Sequence, residues 1–533
     1  MPAVEMHGRP AAPGFAEGPL FRLGGAIAAR QATGDPARER QDLEAAIAEA
    51  IRTTGALMLR VGSEAAEILE FQAAMLDDEE LSRPAFELIR EGLDATSAWS
   101  AALGPVIADY EASDDEYFRA RSTDLIDLRD RVLRTLGGGE GLEALPDGAV
   151  VVGAEITPSQ FLSVDWRQGG GIALFGGSPS SHVAMLARSR GVPMVVGLGE
   201  IDLAGHEAAI VIGEEGRVVL SPAAADRAAF AVAQEAGARL AAAEAEAALA
   251  PAVTADGARV AVMINVAEPE ELDAIDPAIC DGIGLVRTEF LFHRPGGLPD
   301  EEAQFRAYAK IAGWAAGRPV ILRTLDAGGD KPVPGLTIDG ESNPFLGTRG
   351  LRLSLARPDV FTVQLRAMAR AAALGNVRIM LPMVTVPSEI AAAAALLDAA
   401  VAALRAEGVP HARPPLGIMV EVPAVAICPA LFAEAAFFSI GSNDLTQYVT
   451  ASARDIAAVA GLNDSGHPAV VSLIRTVVAP AAEIGPDLTL CGDMGGDPAH
   501  IPALLAAGLR SVSVAPPLVG RAKRAIAAAR PAP

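Results

Sequence analysis

Apolar residues recur every three to four positions through a long stretch of the chain, from about residue 35 to residue 136. Leu43, Ile47 and Ile51 show this period near its start, and it is the spacing of amphipathic helices. The pattern therefore predicts a helical subdomain over residues 23–142.

Short apolar runs separated by glycines and a serine cluster follow this helical stretch. They cover Ala149–Val152, Gly171–Phe175 and Val192–Val196, and their length and composition are typical of β-strands. The first 22 residues, rich in Gly and Pro, indicate a further strand with turns. We predict that residues 1–22 and 143–222 form one small α/β domain, into which the helical subdomain is inserted.

Residues 223–250 are almost wholly Ala, Glu, Arg and Gln, which favour helix, and they carry no deep apolar stripe. This composition predicts a linker helix. Strand-like runs then alternate with helical segments over residues 251–533, and their number and length match a (β/α)₈ TIM barrel. The eight runs are Val260–Val266, Ile283–Glu289, Val320–Asp326, Val377–Val384, Gly417–Glu421, Phe437–Gly441, Leu488–Gly492 and Ser511–Ala515.

The composition limits the classes of function. The chain has 533 residues, and its 67 acidic against 43 basic residues give a net charge of −24, which disfavours binding to nucleic acid or to anionic membranes. The longest apolar run without a charge, Val422–Ala433, has 12 residues and two prolines, and about 20 are needed to span a membrane. We expect a soluble protein.

The cysteines and the N-terminal sequence predict a compartment. The first residues lack a basic segment followed by an apolar core, so no secretory signal is expected. The cysteines, Cys280, Cys428 and Cys491, have neither metal-ligand spacing nor the number that a disulfide framework needs. A cytoplasmic location is the prediction.

One histidine lies in a loop that enters a predicted helix. Ser180 and Ser181 are residue types that cap helix N-termini, while Gly191 and Pro193 end the helix on its far side. His182 would then lie at a helix N-terminus, where free N–H groups and the helix dipole stabilise negative charge. A phosphorylated imidazole suits this position. The alternative is a histidine that only caps or packs.

Polar residues follow the predicted barrel strands at their C-terminal ends, where the active sites of such barrels lie. These residues are Asn265, Arg287, Arg323, Glu421, Asn443, Asp444 and Cys491. The arrangement predicts a functional site at the barrel mouth.

Arg287 and Arg323 follow two adjacent strands. Guanidinium groups that converge in this way offer bidentate clamps for phosphate or carboxylate. The alternative is that each arginine forms a structural ion pair with a neighbouring acid, Glu289 or Asp326.

Two carboxylates and a thiol complete the predicted mouth. Glu421 and Asp444 end the fifth and sixth strands, and two carboxylates together with a substrate phosphate commonly hold Mg²⁺. Isolated acids facing solvent are the alternative. Cys491 is expected to be exposed by the glycines that follow it, so that it exchanges a proton near neutral pH. Cys280 and Cys428 are expected to be buried as small apolar side chains.

Seven motifs together resemble those of Enzyme I of the bacterial phosphoenolpyruvate-dependent sugar phosphotransferase system, and the resemblance covers essentially the whole chain. The loop sequence GGSPSSHVAMLARSRGVPMVVG resembles the phosphohistidine signature of that family. The segments similar to its barrel signatures are, in order, GLVRTEFLF, RTLDAGGDK, NPFLGTRGLR, MVEVPA, IGSNDLTQY and CGDMGGD. Four details differ from the usual pattern: Pro179 is extra, Ser180 replaces Thr, Asp493 replaces Glu, and Ser452-Ala453 stands before Arg454 where the family usually has Val-Asp.

The resemblance implies a phosphotransferase that passes phosphoryl from phosphoenolpyruvate to His182 and then to a histidine of the carrier protein HPr, releasing pyruvate. It implies that Cys491 protonates the enolpyruvate and that Glu421 and Asp444 hold Mg²⁺. The residues implied to bind phosphoenolpyruvate are Arg287, Arg323, Asn443, Asp444 and Arg454, with Lys331 and Arg349 in the same mouth.

The resemblance also implies two protein partners and a domain movement. The helical subdomain would dock HPr, and the acidic runs 77–80 and 114–116 would face a basic partner, unless they are simply solvated. The barrel would form a homodimer. Because His182 and the barrel mouth lie in different domains, we expect the α/β domain to swing between them.

Two other functions are weighed. A dikinase or synthase shares the histidine and the barrel but needs a large ATP-binding domain, for which the roughly 175 residues before the histidine loop leave no room. A catalytically silent regulatory protein would have no need to keep His182, Cys491, both metal carboxylates and the arginines.

Overall fold

A computed structural model describes residues 2–23, 30–58, 69, 72–111, 116–137, 145–179, 181–200, 202–292, 297–329, 331–338, 340–453, 456, 459, 461–484 and 487–530. Side chains are described over the same ranges except 111, 116–121 and 480–484. The chain divides into two compact units, 1–237 and 238–533. Each unit is built on its own sheet and buried core.

The first unit contains a mixed eight-stranded sheet in the order β1-β8-β7-β3-β4-β5-β6-β2. Strands β3 to β6 run parallel to one another, and β1, β8, β7 and β2 pair antiparallel at the two sides. The strands are β1 Val4–His7, β2 Arg9–Ala12, β3 Phe15–Arg22, β4 Val150–Gly153, β5 Gly171–Leu174, β6 Met194–Val196, β7 Ala208–Ile212 and β8 Arg217–Leu220.

The first 22 residues supply three of these strands rather than the one that the sequence indicated. Strands β7 and β8 were also absent from the prediction. They form a hairpin closed at Gly213 and Gly216, and Gly216 has a φ of 62°, in the left-handed region that glycine adopts without strain.

Among the described residues, four helices lie between β3 and β4 in the chain, within the stretch where the apolar period predicted them. They are Pro36–Met58, Glu79–Arg90, Ala95–Glu111 and Glu116–Leu136. Their facing sides share a core that contains Leu43, Trp99, Leu128 and Val132, all nearly inaccessible to solvent. The acidic run 77–80 begins the second of these helices, because Asp78 caps its first turn by accepting from the Glu80 N–H.

The last of these helices joins the sheet domain through a buried carboxylate. Asp127 accepts hydrogen bonds from the backbone N–H of Ser159 at 3.1 Å and from the Nε2 of Gln72 at 3.2 Å, and also from the Ser159 hydroxyl. Ser159 belongs to the short helix Pro158–Ser163 of the sheet domain. The helical insertion is therefore held to the sheet by specific polar contacts near the histidine loop.

The second unit is a closed barrel of eight parallel strands, β9 to β16. The predicted fold class, a TIM barrel together with an α/β domain that carries a helical insertion, is confirmed. The barrel strands are β9 Ala261–Val266, β10 Ile283–Val286, β11 Val320–Arg323, β12 Val377–Leu381, β13 Leu416–Val420, β14 Phe437–Ile440, β15 Asp487–Leu490 and β16 Ser511–Val514.

Helices pack around the barrel between successive strands and after the last one, and their buried faces extend the main core of the unit. Their bounds are Glu301–Ala315, Leu351–Ala356, Pro358–Ala372, Pro387–Glu407, Pro423–Ile427, Ser442–Thr450, Pro468–Ile484, Ile501–Ala506 and Val519–Ala528.

One helix among the described residues, Pro387–Glu407, is long and apolar enough to cross a membrane by length and composition alone. It lies between β12 and β13 in the chain, and its residues Ile390, Ala393 and Leu397 are buried in the barrel core. Apolar helices that flank a barrel meet the same criterion.

The predicted linker helix spans Ala224–Leu249. Near its start, Phe230 packs edge-on against Phe15 of the first unit, with ring centroids 6.0 Å apart. At its end the ammonium of Lys523 donates to the carbonyls of Ala248 at 2.6 Å and Ala250 at 2.8 Å. The helix therefore has one end in each unit.

Candidate functional site

His182 is the first residue of the helix His182–Arg190. The Ser181 side chain caps this helix by accepting from the Ala184 N–H at 3.3 Å, and Gly191 ends it with a φ of 65°. The predicted placement of His182 at a helix N-terminus is confirmed, while Ser180 lies outside the described residues. Added negative charge on the imidazole would be stabilised there by the helix dipole.

The imidazole of His182 faces a buried carboxylate. Its Nδ1 lies 3.4 Å from Oδ2 of Asp124, which belongs to the helix Glu116–Leu136, and its own side chain is 22% exposed. The hydrogen bond of this pair joins Nδ1 to Oδ1 of Asp124 at 3.5 Å, and because an ionised carboxylate only accepts, Nδ1 is the donor in it and Nε2 keeps its lone pair. Asp124 could not be predicted from the sequence, because it lies 58 residues from His182 on a separate helix.

The two arginines at the ends of β10 and β11 differ in their surroundings. Arg323 is buried, and its guanidinium lies 2.8 Å from Glu289 and 3.2 Å from Asp326. Burial alone would lower the pKa of Arg323, but the two carboxylates outweigh it and hold that pKa above its ordinary value. Arg287 is exposed, and its side chain has no hydrogen bond or ion pair within the described ranges. The ion-pair alternative thus holds for Arg323 and not for Arg287.

Asp326 connects three cationic side chains inside the mouth. It is fully buried and lies 3.1 Å from the Lys331 ammonium and 3.2 Å from Arg323. Its two oxygens each accept from the Arg349 guanidinium at 3.1 Å. Burial would raise the pKa of Asp326, but the three cations hold it far below its usual range. Lys331 and Arg349 therefore do line one mouth with Arg323.

Arg349 extends this network to the segment that follows β14, the sixth strand of the barrel. It is buried completely and donates to both carboxylate oxygens of Asp444, at 3.0 and 3.2 Å. Its Nη1 also lies 3.4 Å from the hydroxyl of Tyr448, which donates to the carbonyl of Phe345 at 2.6 Å. Asp444 is thus held by a cation rather than facing solvent alone.

Glu421 follows β13 and is almost fully buried. Its Oε1 accepts from the Met383 N–H at 2.6 Å, whereas its Oε2 is buried with no hydrogen-bond partner among the described residues. Burial raises the pKa of Glu421 to about 8, and the nearby charges of Asp444 and Asp326 add to this effect. Met383 has a φ of 57°, a strained conformation for a non-glycine residue of the kind that often occurs at functional sites.

Asn443 forms a reciprocal pair with Asp493. The Asn443 amide donates to the Asp493 carboxylate at 2.9 Å, and the Asp493 backbone N–H donates to the Asn443 carbonyl oxygen at 3.0 Å. The pair joins the segments after β14 and β15. The shorter acid at position 493 is therefore long enough to orient the asparagine.

Two predictions about cysteines are wrong. Cys491 is buried rather than exposed, because its side chain points into a small apolar cluster inside the barrel that includes Leu285 and Met419. Burial raises the pKa of the Cys491 thiol to about 11, so it is a thiol and not a thiolate near neutral pH. Cys428 is exposed rather than buried, whereas Cys280 is buried as expected.

Three family models cover most of the chain. They are those of the PEP-utilising enzyme N-terminal domain, over residues 7–121, the mobile domain, over 145–216, and the PEP-binding domain, over 241–530. A phosphoenolpyruvate-protein phosphotransferase of Haloferax volcanii is 37% identical over 88% of this chain and 83% of its own length. The enzyme of that name from Geobacillus stearothermophilus is 36% identical over 96% of this chain and 90% of its own.

The chain belongs to the Enzyme I family. The predicted family is confirmed, and with it the predicted reaction class, phosphoryl transfer from phosphoenolpyruvate to a protein. A multiphosphoryl transfer protein of Rhodobacter capsulatus is a further relative, 37% identical over 87% of this chain and 56% of its own length.

Enzyme I family members need a divalent metal ion. The described residues contain no group of three or more His, Cys, Asp and Glu side chains with metal-site spacing. They do contain the two predicted carboxylates, and the unpartnered Oε2 of Glu421 is a hard oxygen ligand of the kind that Mg²⁺ prefers. Two protein carboxylates suffice where substrate phosphate and water supply the other ligands.

All but one of the barrel residues that the Enzyme I resemblance implies belong to the described part of the chain. Arg454 lies outside the described residues, as do the side chains of the acidic run 114–116. The sequence predicts Asp326 and Glu289 only as neutralising partners of single arginines. Their role as shared acceptors within one network depends on distances that strand order alone does not give.

Proposed function

We propose that His182 is the phosphoryl carrier of this phosphotransferase and that the barrel mouth binds phosphoenolpyruvate and releases pyruvate. The observation that carries the proposal is the geometry of His182 at a helix N-terminus, with Nδ1 facing Asp124. That contact leaves Nε2 as the nucleophile and stabilises the positive charge that develops on the ring.

In the proposed reaction, Nε2 of His182 attacks the phosphorus of phosphoenolpyruvate. The bond between phosphorus and the bridging oxygen breaks, and its electron pair stays on the enolate oxygen. The enolate carbon then takes a proton from the Cys491 thiol, giving pyruvate, and solvent restores the proton to the sulfur. Because the pKa of Cys491 is about 11, the acid form of the thiol is present throughout the neutral range.

The charge of phosphoenolpyruvate is matched at the mouth by cations and hydrogen-bond donors. The exposed guanidinium of Arg287 is available to the substrate directly, and Arg323, Lys331 and Arg349 line the same space. We assign phosphate contacts to Asn443 and Asp444 and a further substrate contact to Arg454. Catalysis of this kind rests mainly on positioning and on neutralising charge.

We propose Mg²⁺ as the divalent ion, held by Glu421 and Asp444. The fit is supported by the buried Oε2 of Glu421, a hard oxygen atom that has no hydrogen-bond partner among the described residues. When bound, the ion would neutralise charge on the phosphoryl oxygens. The bond that Met383 donates fixes the carboxylate so that Oε2 is the free oxygen.

The phosphoryl acceptor in this proposal is a histidine of HPr, which docks on the helical subdomain 23–142. A phosphocarrier partner is supported by the name of the multiphosphoryl transfer protein relative. Residues 1–22 and 143–222 form the swinging phosphohistidine domain, 223–250 the linker, and 251–533 the barrel through which we propose that the protein forms a homodimer. We place the protein in the cytoplasm.

The test is phosphorylation by ³²P-labelled phosphoenolpyruvate with Mg²⁺ and without nucleotide. We expect acid-labile, base-stable label on the wild type and none on His182→Ala. His206→Ala is the matched control, because His206 lies in the same unit and contacts Ser221, and it should keep the label. Label that persists in His182→Ala would refute the assigned carrier. A folded wild type that takes no label would favour a silent scaffold.

A further inference from the structure

A buried cluster of hydrogen-bonded polar side chains lies behind the ends of β10 and β11. Its members, Gln304, Tyr308, Gln364 and Thr288, are each at most 1% exposed. Gln304 and Tyr308 belong to the helix Glu301–Ala315, and Gln364 to the helix Pro358–Ala372. Thr288 follows β10, between Arg287 and Glu289. Polar groups buried to this degree require hydrogen-bond partners, and each of the four has them.

The donor and acceptor of each hydrogen bond in this cluster follow from one backbone group, the N–H of Leu325. The N–H of Leu325 can only donate, so the Gln364 atom 3.0 Å from it is the carbonyl oxygen Oε1. The Nε2 of Gln364 therefore donates to the hydroxyls of Thr288 at 3.2 Å and Tyr308 at 3.3 Å. Each hydroxyl is left to donate its own proton, Thr288 to the Arg323 carbonyl at 2.9 Å and Tyr308 to Gln304 at 3.2 Å.

Gln364 thereby holds the backbone beside both arginines. It accepts directly from the Leu325 N–H, two residues after Arg323, and through Thr288 it holds the Arg323 carbonyl. Thr288 is the residue next to Arg287. The end of β10 and the end of β11 are thus joined through a single amide group.

We infer that Gln364 is a positioning residue, which sets the separation and direction of Arg287 and Arg323 without touching substrate. The inference rests on the proposed binding of phosphoenolpyruvate by these arginines. Arg323 has a second restraint, because Glu289 accepts from its guanidinium at 2.8 Å and from the Asp326 N–H at 3.0 Å. Arg287 has no side-chain partner in the described part of the chain, so its direction depends on the backbone that Thr288 anchors.

The test is steady-state kinetics with phosphoenolpyruvate on the full chain. Gln364→Met keeps the length of the side chain but removes all three bonds, and we expect the KM for phosphoenolpyruvate to rise about tenfold with kcat changed less than about threefold. Thr288→Val is the second variant, since it keeps the shape of the side chain and should give the same change in KM.

Tyr308→Phe is the matched control, because it removes a hydroxyl from the same cluster of side chains, on the side away from the strands. We expect it to lower the melting temperature as much as Gln364→Met does while leaving KM unchanged. If Gln364→Met and Tyr308→Phe changed KM equally, the hydrogen-bonded cluster would act only through stability, and the inference would be overturned. An unchanged KM in folded Gln364→Met and Thr288→Val would overturn it as well.

A double-mutant cycle separates this inference from the proposed function. In an Arg287→Ala background, Gln364→Met should raise KM less than about threefold, because Arg287 is absent and Arg323 keeps its second restraint from Glu289. Fully additive effects on the logarithm of KM would contradict positioning. If Arg287→Ala and Arg323→Ala both leave KM unchanged, the substrate contacts proposed for the arginines fail, and the inference about Gln364 fails with them.

Discussion

The guanidinium of Arg349 and the carboxylate of Asp326 form two parallel hydrogen bonds inside the barrel, each 3.1 Å long. Both side chains are fully buried. A bidentate pair of this kind has the favoured geometry between arginine and a carboxylate. Substitution of one of the two residues leaves the charge of the other without a counter-charge in a medium of low dielectric constant.

We predict that Asp326→Asn strongly destabilises the barrel. The substitution keeps the shape of the side chain but removes the charge that Arg323, Lys331 and Arg349 share. Breaking a buried ion pair in this way typically lowers the free energy of unfolding by about 3–5 kcal/mol. Chemical denaturation, followed at the transition of the barrel unit, measures the change.

The matched control is Asp359→Asn in the same unit. Asp359 pairs with Arg357 at 2.9 Å, but its side chain is 65% exposed, so we expect no measurable change in stability. Equal losses in the two variants would show that burial of the Asp326 pair does not matter.

The same carboxylate predicts a dependence of stability on pH. The pKa of Asp326 lies far below its usual range in the folded chain, whereas the unfolded chain has the ordinary value of about 4. As the pH falls, Asp326 therefore takes up a proton in the unfolded state before it does so in the folded state. The contribution of Asp326 to the free energy of unfolding is present above about pH 4 and is lost below it. The difference in stability between wild type and Asp326→Asn should narrow as the pH is lowered from 5 towards 2. A difference that stays constant over this range would contradict the shift.

Cysteine reactivity tests the burial of Cys491. At pH 7.5 we expect iodoacetamide to modify the exposed Cys428 first, because alkylation requires an accessible thiolate. Cys491, with a pKa of about 11, and the buried Cys280 should react slowly, and the rate at Cys491 should rise with pH. Peptide mapping by mass spectrometry gives the order, and labelling in urea, where all three should react, is the control. Modification of Cys491 as fast as Cys428 would contradict the buried position.

Lys523→Met tests the anchor of the linker helix. The ammonium donates to the carbonyls of Ala248 and Ala250, and methionine fills a similar volume without donating. We expect the barrel unit to lose about 1–3 kcal/mol. Arg521→Met, on the same helix, removes a part-exposed pair with Glu244 and should cost at most about 1 kcal/mol. A larger loss in Arg521→Met, measured by denaturation, would mean that the carbonyl contacts are unimportant.

The barrel could be predicted because each buried strand, such as Val320–Arg323, is a short apolar run and because the strands alternate with helices. The same geometry explains why residues at strand ends, such as Glu421 and Asp444, could be assigned to one mouth. The prediction did not include β7 and β8, although both are short apolar runs of the same kind, joined by a glycine turn.

Contacts between distant elements could not be predicted. Asp124 lies on a helix of the insertion, and Gln364 is one polar residue on an otherwise ordinary amphipathic helix. Cys491 was expected to be exposed because glycines follow it, but its side chain direction is set by the alternation of β15 residues between the inside and the outside of the barrel. Such facts depend on register and packing, which the local pattern does not contain.

The positive and negative charges of the ion-pair network in the mouth are equal in number. Three cations and three anions are joined in one network, namely Arg323, Lys331 and Arg349 with Glu289, Asp326 and Asp444. An incoming anion that replaces Asp444 as the partner of Arg349 would free the carboxylate oxygens of Asp444 to bind a cation. Anion and cation binding are thus coupled by exchange of partners, and by thermodynamic reciprocity each should raise the affinity for the other by the same factor.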